Sequence, residues 1–214
     1  MSEPAASQFS REFEAKPSIP FVSEGGAVLL DRDGVISQQT AFVNEPGDLE
    51  LIDGAAEAIA RLNRAGWPVA IITNQGGIGM GYLSEEMLQK IHQKLEQLLA
   101  DVGAHVDAIY YCPHLANAAL PAYQDNCPCR KPQTGMLEQA RDELGIDLSK
   151  SVAIGDSTTD ILAGIRAGCA TILVQTGFGG KDGKAAAEPD ATVADISAAV
   201  DLILSRLDES GDSS

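Results

Sequence analysis

Five short apolar runs, at residues 27–30, 69–73, 107–111, 151–154 and 171–174, set the limits on what this chain can fold into. Each has the length and the apolar content of a buried strand. Helical patterns separate them. Residues 54–65 carry Ala55, Ala58, Ile59 and Leu62 on one face and meet a stop signal at Gly66. A second helix opens at Ser84, an N-cap residue type, with Glu85 and Glu86 in its first turn, where the helix dipole favours negative charge. Its predicted buried face is Leu88, Ile91, Leu95, Leu98 and Val102. Helices follow at 135–144, 158–167 and 195–206. Strands that alternate with helices need crossover connections, which give a parallel sheet covered on both faces. The fold class is therefore α/β and Rossmann-like, and such sheets bind ligands beyond the carboxyl ends of their strands.

The chain of 214 residues is long enough for one domain with a substantial core, placed at 25–207. Residues 1–24, with Pro4, Pro17 and Pro20 among polar neighbours, read as a tail or surface arm, and 208–214 as a flexible polar tail. No apolar stretch approaches the roughly 18 residues of a membrane span. The first residues carry Glu3, Arg11, Glu12, Glu14 and Lys16 in place of an apolar signal core, so a cytoplasmic protein is expected. A net charge of −16 repels nucleic acid and anionic membranes, and neither is expected as a partner. It also repels phosphorylated metabolites at long range, so a phosphate site needs cations of its own. A monomer is the expected state.

The residues that end the strands carry the chemistry. After the first run comes Asp31-Arg32-Asp33-Gly34; after the second, Thr73-Asn74-Gln75-Gly76-Gly77; after the fourth, Gly155-Asp156-Ser157-Thr158-Thr159-Asp160. Alternation along a strand sends Asp31 and Asp33 to the same side, where two like charges need a cation or a proton. A solvated acidic turn is the plain alternative for that run taken alone. Three polar strand ends at one sheet edge point instead to phosphoryl transfer. Asp31 is placed to attack phosphorus and form an aspartyl-phosphate, and Asp33 to move protons to the leaving alcohol and from water. Mg²⁺ takes hard oxygen ligands, and Asp31, the backbone carbonyl of Asp33 and Asp156 form a suitable set. Asp160, one helical turn beyond Asp156, is expected to orient the site from behind it. Thr73, Asn74, Gln75 and Gly76 offer hydroxyl and amide groups to a phosphoryl oxygen. Arg130 and Lys131, on a loop just before Pro132, supply the positive charge that a transferring phosphoryl group requires.

One stretch, 115–128, lacks periodicity and needs its own explanation. Cys112-Pro113-His114 and Cys127-Pro128-Cys129 flank it. A Cys₃His set matches a closed, structural Zn²⁺ site, which would staple the loop beside Arg130 and Lys131. A disulfide and metal-free thiols are the alternatives. Cys169 reads as a core thiol, His92 and His105 as structural or exposed, and Tyr110 and Tyr111 as packing residues.

These strings together resemble the haloacid-dehalogenase (HAD) superfamily of aspartate-nucleophile phosphatases, and more narrowly its heptose bisphosphate and histidinol-phosphatase branch. They include Asp31-Arg32-Asp33-Gly34, Phe42-Val43, Thr73-Asn74-Gln75, Gly79-Met80-Gly81, Tyr110 to His114, Cys127 to Pro132, Gly135-Met136 and Gly155-Asp156. The likeness spans about residues 27–180. It implies Asp31 as nucleophile, Asp33 as acid and base, Thr73 and Lys131 steadying the phosphoryl group, and Arg130 in substrate recognition. It also implies that there is no large cap domain, so that short loops, Gln39 to Phe42 among them, cover the site. Of the activities in the branch, removal of the 7-phosphate from a heptose 1,7-bisphosphate is favoured. Histidinol phosphate or another small sugar phosphate is the alternative. Met80 and Ser157 stand where members of the branch often carry basic residues. Rivals from other classes are a phospho-receiver and an idle zinc-stabilised binding protein.

Overall fold

The computed structural model describes residues 25–39 and 43–211, the last six by backbone alone. The arm expected at 1–24 and the proposed site residue Phe42 lie outside them.

The elements run β1 (Val28–Leu30), α1 (Ala55–Arg64), β2 (Val69–Asn74), α2 (Glu85–Ala100), β3 (Ala108–Cys112), α3 (Gly135–Leu144), β4 (Val152–Gly155), α4 (Thr158–Ala167), β5 (Ala170–Val174), β6 (Ala191–Val193) and α5 (Ile196–Gly211). All strands are parallel, in the order β3-β2-β1-β4-β5-β6. The order reverses direction at β1, which pairs with β2 on one side and β4 on the other. That switch point opens a crevice at the carboxyl edge, and Leu30, the last residue of β1, lies opposite both Ile71 and Ile154. Asp31 therefore leaves the sheet at its centre, with its N–H still bonded to Ile154 O at 3.0 Å.

Strand alternation divides the core in two. Val28 and Leu30 pack on one face with α1, α2 and α5, while Leu29 packs on the other with Met136, Leu137 and Ala140 of α3 and Ala163 of α4. Burial on both faces accounts for the near-continuous apolar strands. Ser84 caps α2 by accepting from Met87 N at 3.1 Å. Among the described residues no helix is long and apolar enough to cross a membrane.

Four expectations change. β6 has no counterpart among the five predicted strands; it is three residues long and only Ala191 is buried. On α2 the buried face is Leu88, Ile91, His92, Leu95 and Leu99, because the helix ends at Ala100 and leaves Val102 exposed beyond it. α5 runs on to Gly211, past the boundary expected at 207. The stretch 115–128 holds a single turn of 3-10 helix, Pro121–Tyr123, and Leu115 folds back on it through Leu115 N to Tyr123 O at 3.0 Å.

Candidate active site

Asp31, Asp33, Thr73, Asn74, Gln75, Gly76, Arg130, Lys131, Asp156 and Gln39 all line one cavity of about 300 Å³ at the carboxyl edge of the sheet. Asp31, at the end of β1, is mostly buried. Burial, opposed by Lys131 and reinforced by Asp160 and Asp33, raises its pKa to about 7. Lys131 Nζ lies 3.0 Å from Asp31 Oδ1, 2.7 Å from Asp160 Oδ1 and 2.6 Å from Ile72 O. All three ammonium hydrogens thus have partners. Burial opposes the charge of Lys131, but Asp160 and Asp31 outweigh it and hold its pKa above the ordinary lysine value.

The side chain of Asn74 fixes the backbone at Lys131. Asn74 Nδ2 donates to Lys131 O, and Lys131 N donates to Asn74 Oδ1, both at 3.0 Å. Gln75 divides its amide between Thr73 Oγ1 at 2.9 Å and Asp33 Oδ2 at 3.0 Å, which orients the buried Thr73 hydroxyl. A Cβ at Gly76 would stand 2.9 Å from Leu115 Cδ1, so the leucine side chain would have to shift to admit one.

Asp33 is clamped. Its Oδ1 accepts from Arg32 Nε at 3.0 Å and Ser37 Oγ at 3.1 Å, and its Oδ2 from Arg32 Nη2 at 2.8 Å. Burial works to raise its pKa, but Arg32, Gln75 and Ser37 together bring it below the usual value. Arg32 itself is buried, with Nη1 3.4 Å from Nε2 of buried His92. A guanidinium only donates, so the imidazole is neutral and accepts at Nε2. Burial, then the charge of Arg32, lowers the His92 pKa to about 4. His92 packs edge-on to Tyr111, whose hydroxyl donates to Glu85 Oε2 at 2.8 Å, while Tyr123 donates to Glu85 Oε1 at 2.8 Å. Tyr123 in turn packs against His114. A chain of contacts therefore joins the cysteine loop to Asp33.

Asp156 follows β4 and is almost fully buried. Burial, then the charge of Asp31, raises its pKa to about 7. Phe178 N donates to its Oδ2 at 2.7 Å, and Gly180 N to its backbone oxygen at 2.7 Å. Gly177, at φ +59°, lies so close that a Cβ would sit 2.0 Å from Asp156 Oδ2 and 2.8 Å from Gly34 Cα. The loop after β5 is thus a wall of the site, a part that the strand-end motifs do not reveal. Oxygens of Asp31, Asp156 and Asp160 lie within 4.8 Å of one another. Asp160 commits Oδ1 to Lys131 and Oδ2 to Ser157 N at 3.0 Å and Ser157 Oγ at 2.7 Å. That leaves Asp31 and Asp156 as the carboxylates with capacity for a cation.

Cys112, His114 and Cys127 bring ligand atoms within 4.8 Å of one another, and Cys112 Sγ is 3.9 Å from His114 Nδ1. Cys129 stands outside that trio, although its thiol interacts with Cys127. All four cysteines are free thiols. Cys169 is buried, as expected of a core thiol, and His105 is exposed.

A HAD-hydrolase-like family model matches residues 128–199. The D-glycero-D-manno-heptose-1,7-bisphosphate 7-phosphatase of Thermosynechococcus vestitus is 42% identical over 189 residues, covering 85% of this chain and 96% of that one. The D-glycero-beta-D-manno-heptose-1,7-bisphosphate 7-phosphatase of Vibrio cholerae is 45% identical over 152 residues, 71% of this chain and 82% of that one. The crystal structure of D,D-heptose 1,7-bisphosphate phosphatase from B. bronchiseptica, complexed with magnesium and phosphate, superposes with a TM-score of 0.76 at 38% identity. It covers 84% of this chain and 98% of that one. These relatives are enzymes, which sets aside the receiver and idle binding-protein alternatives. The chain belongs to the HAD superfamily of phosphatases, in its heptose 1,7-bisphosphate phosphatase family.

Proposed function

We propose that this chain is a Mg²⁺-dependent phosphomonoesterase that removes the 7-phosphate of D-glycero-D-manno-heptose 1,7-bisphosphate through an aspartyl-phosphate on Asp31. The observation that carries the reading is the buried Asp31 carboxylate at the switch point of the sheet. Lys131 is held on one side of it, and an Asp156 oxygen lies within 4.8 Å. Two buried carboxylates, each raised to about 7, suit a hard divalent cation, and the carbonyl of Asp33 is the third protein ligand in this reading. When bound, Mg²⁺ would neutralise charge on the transferring phosphoryl oxygens.

Asp31 forms an O–P bond as the sugar oxygen leaves, and Asp33, having taken up a proton from solvent as the negatively charged substrate binds, delivers it to that oxygen. Asp33 then takes a proton from the water that cleaves the acyl phosphate, which returns Asp31 and releases inorganic phosphate. In the free protein the Arg32 clamp favours the ionised form of Asp33, the form the second half of the cycle needs. Lys131 and the Thr73 hydroxyl steady the phosphoryl oxygens. Arg130 contacts the rest of the substrate, with Gln39 and Phe42 in the covering loop.

Cys112, His114, Cys127 and Cys129 are read as the ligands of one structural Zn²⁺, since thiolates and imidazole are the donors that metal takes. Elemental analysis of gently purified protein tests this; fewer than about 0.2 zinc per chain would exclude it. The function is tested by comparing kcat/KM for heptose 1,7-bisphosphate, histidinol phosphate and a set of sugar monophosphates. A clear preference for histidinol phosphate would overturn the substrate assignment. Turnover retained by Asp31→Asn would overturn the covalent mechanism.

A further inference from the structure

We propose that Lys184 binds the phosphate that the enzyme leaves in place, and so sets its preference for a bisphosphate over a monophosphate. This deepens, and rests on, the substrate reading above.

A second phosphate brings further negative charge into a protein of net charge −16, so a nearby cation must receive it. Among the described residues, four cations line the cavity: Arg32, Arg130, Lys131 and Lys184. Arg32 spends its guanidinium on Asp33 and His92. Lys131 spends its ammonium on Asp31, Asp160 and Ile72 O, beside the reacting phosphate. Arg130 donates through Nη1 to His114 O at 3.1 Å and is tied to the cysteine loop. Lys184 has no carboxylate partner among the described residues. Its Nζ lies 5.1 Å from the centre of the Phe178 ring, a contact weak enough at an exposed site to yield to a phosphate. Met80 and Ser157 also line the cavity but bring no charge.

The backbone around Lys184 is anchored on both sides. Asp182 accepts from Thr158 N at 2.9 Å and Thr158 Oγ1 at 3.1 Å, and Ala185 N donates to Thr158 Oγ1 at 3.0 Å. Upstream, Phe178 N holds Asp156, and Thr176 Oγ1 donates to Gly34 O at 2.6 Å. The lysine therefore projects from a wall fixed to the start of α4 and to the Asp31–Gly34 turn. Binding a phosphate orders one side chain, not a whole loop.

The test compares Lys184→Gln with wild type on heptose 1,7-bisphosphate and on heptose 7-phosphate, the same ester without the anomeric phosphate. Loss of one charge-assisted contact raises KM for the bisphosphate about tenfold to a hundredfold with kcat little changed. The loss on the bisphosphate exceeds that on the monophosphate at least tenfold, and Lys184→Arg recovers most of it. Lys181→Gln makes the same charge change on the same loop, away from the cavity, and behaves as wild type. Equal losses on the two esters, no loss on either, or an equal effect from Lys181→Gln would overturn the role of Lys184. A wild-type enzyme that turns over both esters equally well would overturn the substrate reading as well, so the two failures are distinguishable.

Discussion

Lys131→Met is the most searching perturbation of this site, because it removes one charge and keeps most of the side-chain volume. In the native protein the ammonium answers Asp31 Oδ1 at 3.0 Å, Asp160 Oδ1 at 2.7 Å and Ile72 O at 2.6 Å. Removing one partner of a buried ion pair costs about 3–5 kcal/mol, since the remaining charge stays out of water. Here the cost depends on pH. The Asp31 pKa is about 7 in the fold against 3.8 for the free side chain, so the folded form binds more protons between those values. Stability from this group therefore falls as pH rises from about 4 to 7. Lys131 is a cause that lowers the Asp31 pKa, so its loss moves that value up and extends the decline to higher pH. The variant should be about 3–5 kcal/mol less stable than wild type at pH 8.5. With an m-value of about 2 kcal/mol/M, the urea midpoint falls by about 2 M. At pH 5.5 a proton replaces the lost cation, and the gap should shrink to roughly 1 kcal/mol. Urea unfolding in Mg²⁺-free buffer at both values measures it, and adding Asp160→Asn should recover a good part of the loss at pH 8.5. Equal destabilisation at both pH values, or no recovery in the double variant, would refute the reasoning.

Gly177→Ala forces a Cβ to within 2.0 Å of Asp156 Oδ2, so Mg²⁺ affinity by calorimetry should fall at least about tenfold, with backbone strain adding roughly 1–2 kcal/mol of instability. Cys112→Ser should remove most bound zinc and lower Tm. In the metal-free protein burial raises the Cys112 thiol to about 12, so zinc binding must displace protons, and competition assays should give weaker affinity at pH 6 than at pH 7.5. His92→Phe removes the acceptor facing Arg32 Nη1 and loosens the clamp on Asp33. Kcat should fall about tenfold, the equivalent of roughly 1.4 kcal/mol, at unchanged Mg²⁺ affinity. His92→Gln, which restores an acceptor, should recover part of that loss.

Strand ends were the legible part of the site. Asp31, Thr73 and Asp156 each end or follow an apolar run, and the topology of a parallel sheet alone brings such ends to one edge. The supporting contacts were not legible. Gly177 meets Asp156 across 21 positions and two elements, a pairing that no local period encodes. His92 sits at the margin of the apolar stripe on α2, where burial is decided by Arg32 and Tyr111 on other elements. Nothing in the sequence around Arg32 marks it as buried, yet it is, because its fork answers Asp33 and His92. β6 is not legible in the sequence because three residues with one buried side chain carry too little pattern. Val102 has the right spacing for the α2 stripe but falls after the last helical turn.

The two hydrogen bonds between the Asn74 amide and the Lys131 backbone have a consequence for modularity. A side-chain amide that donates to the C=O and accepts from the N–H of one residue, Lys131, does the work of a neighbouring strand and ties the end of β2 to an irregular loop. The cysteine loop is therefore not an interchangeable insert. Transplanted into a related scaffold without an asparagine at the end of the second strand, it would keep its cysteine and histidine cluster but lose both bonds that seat the Lys131 backbone. The 3.0 Å contact of Lys131 Nζ with Asp31 Oδ1 would then lose its backbone support.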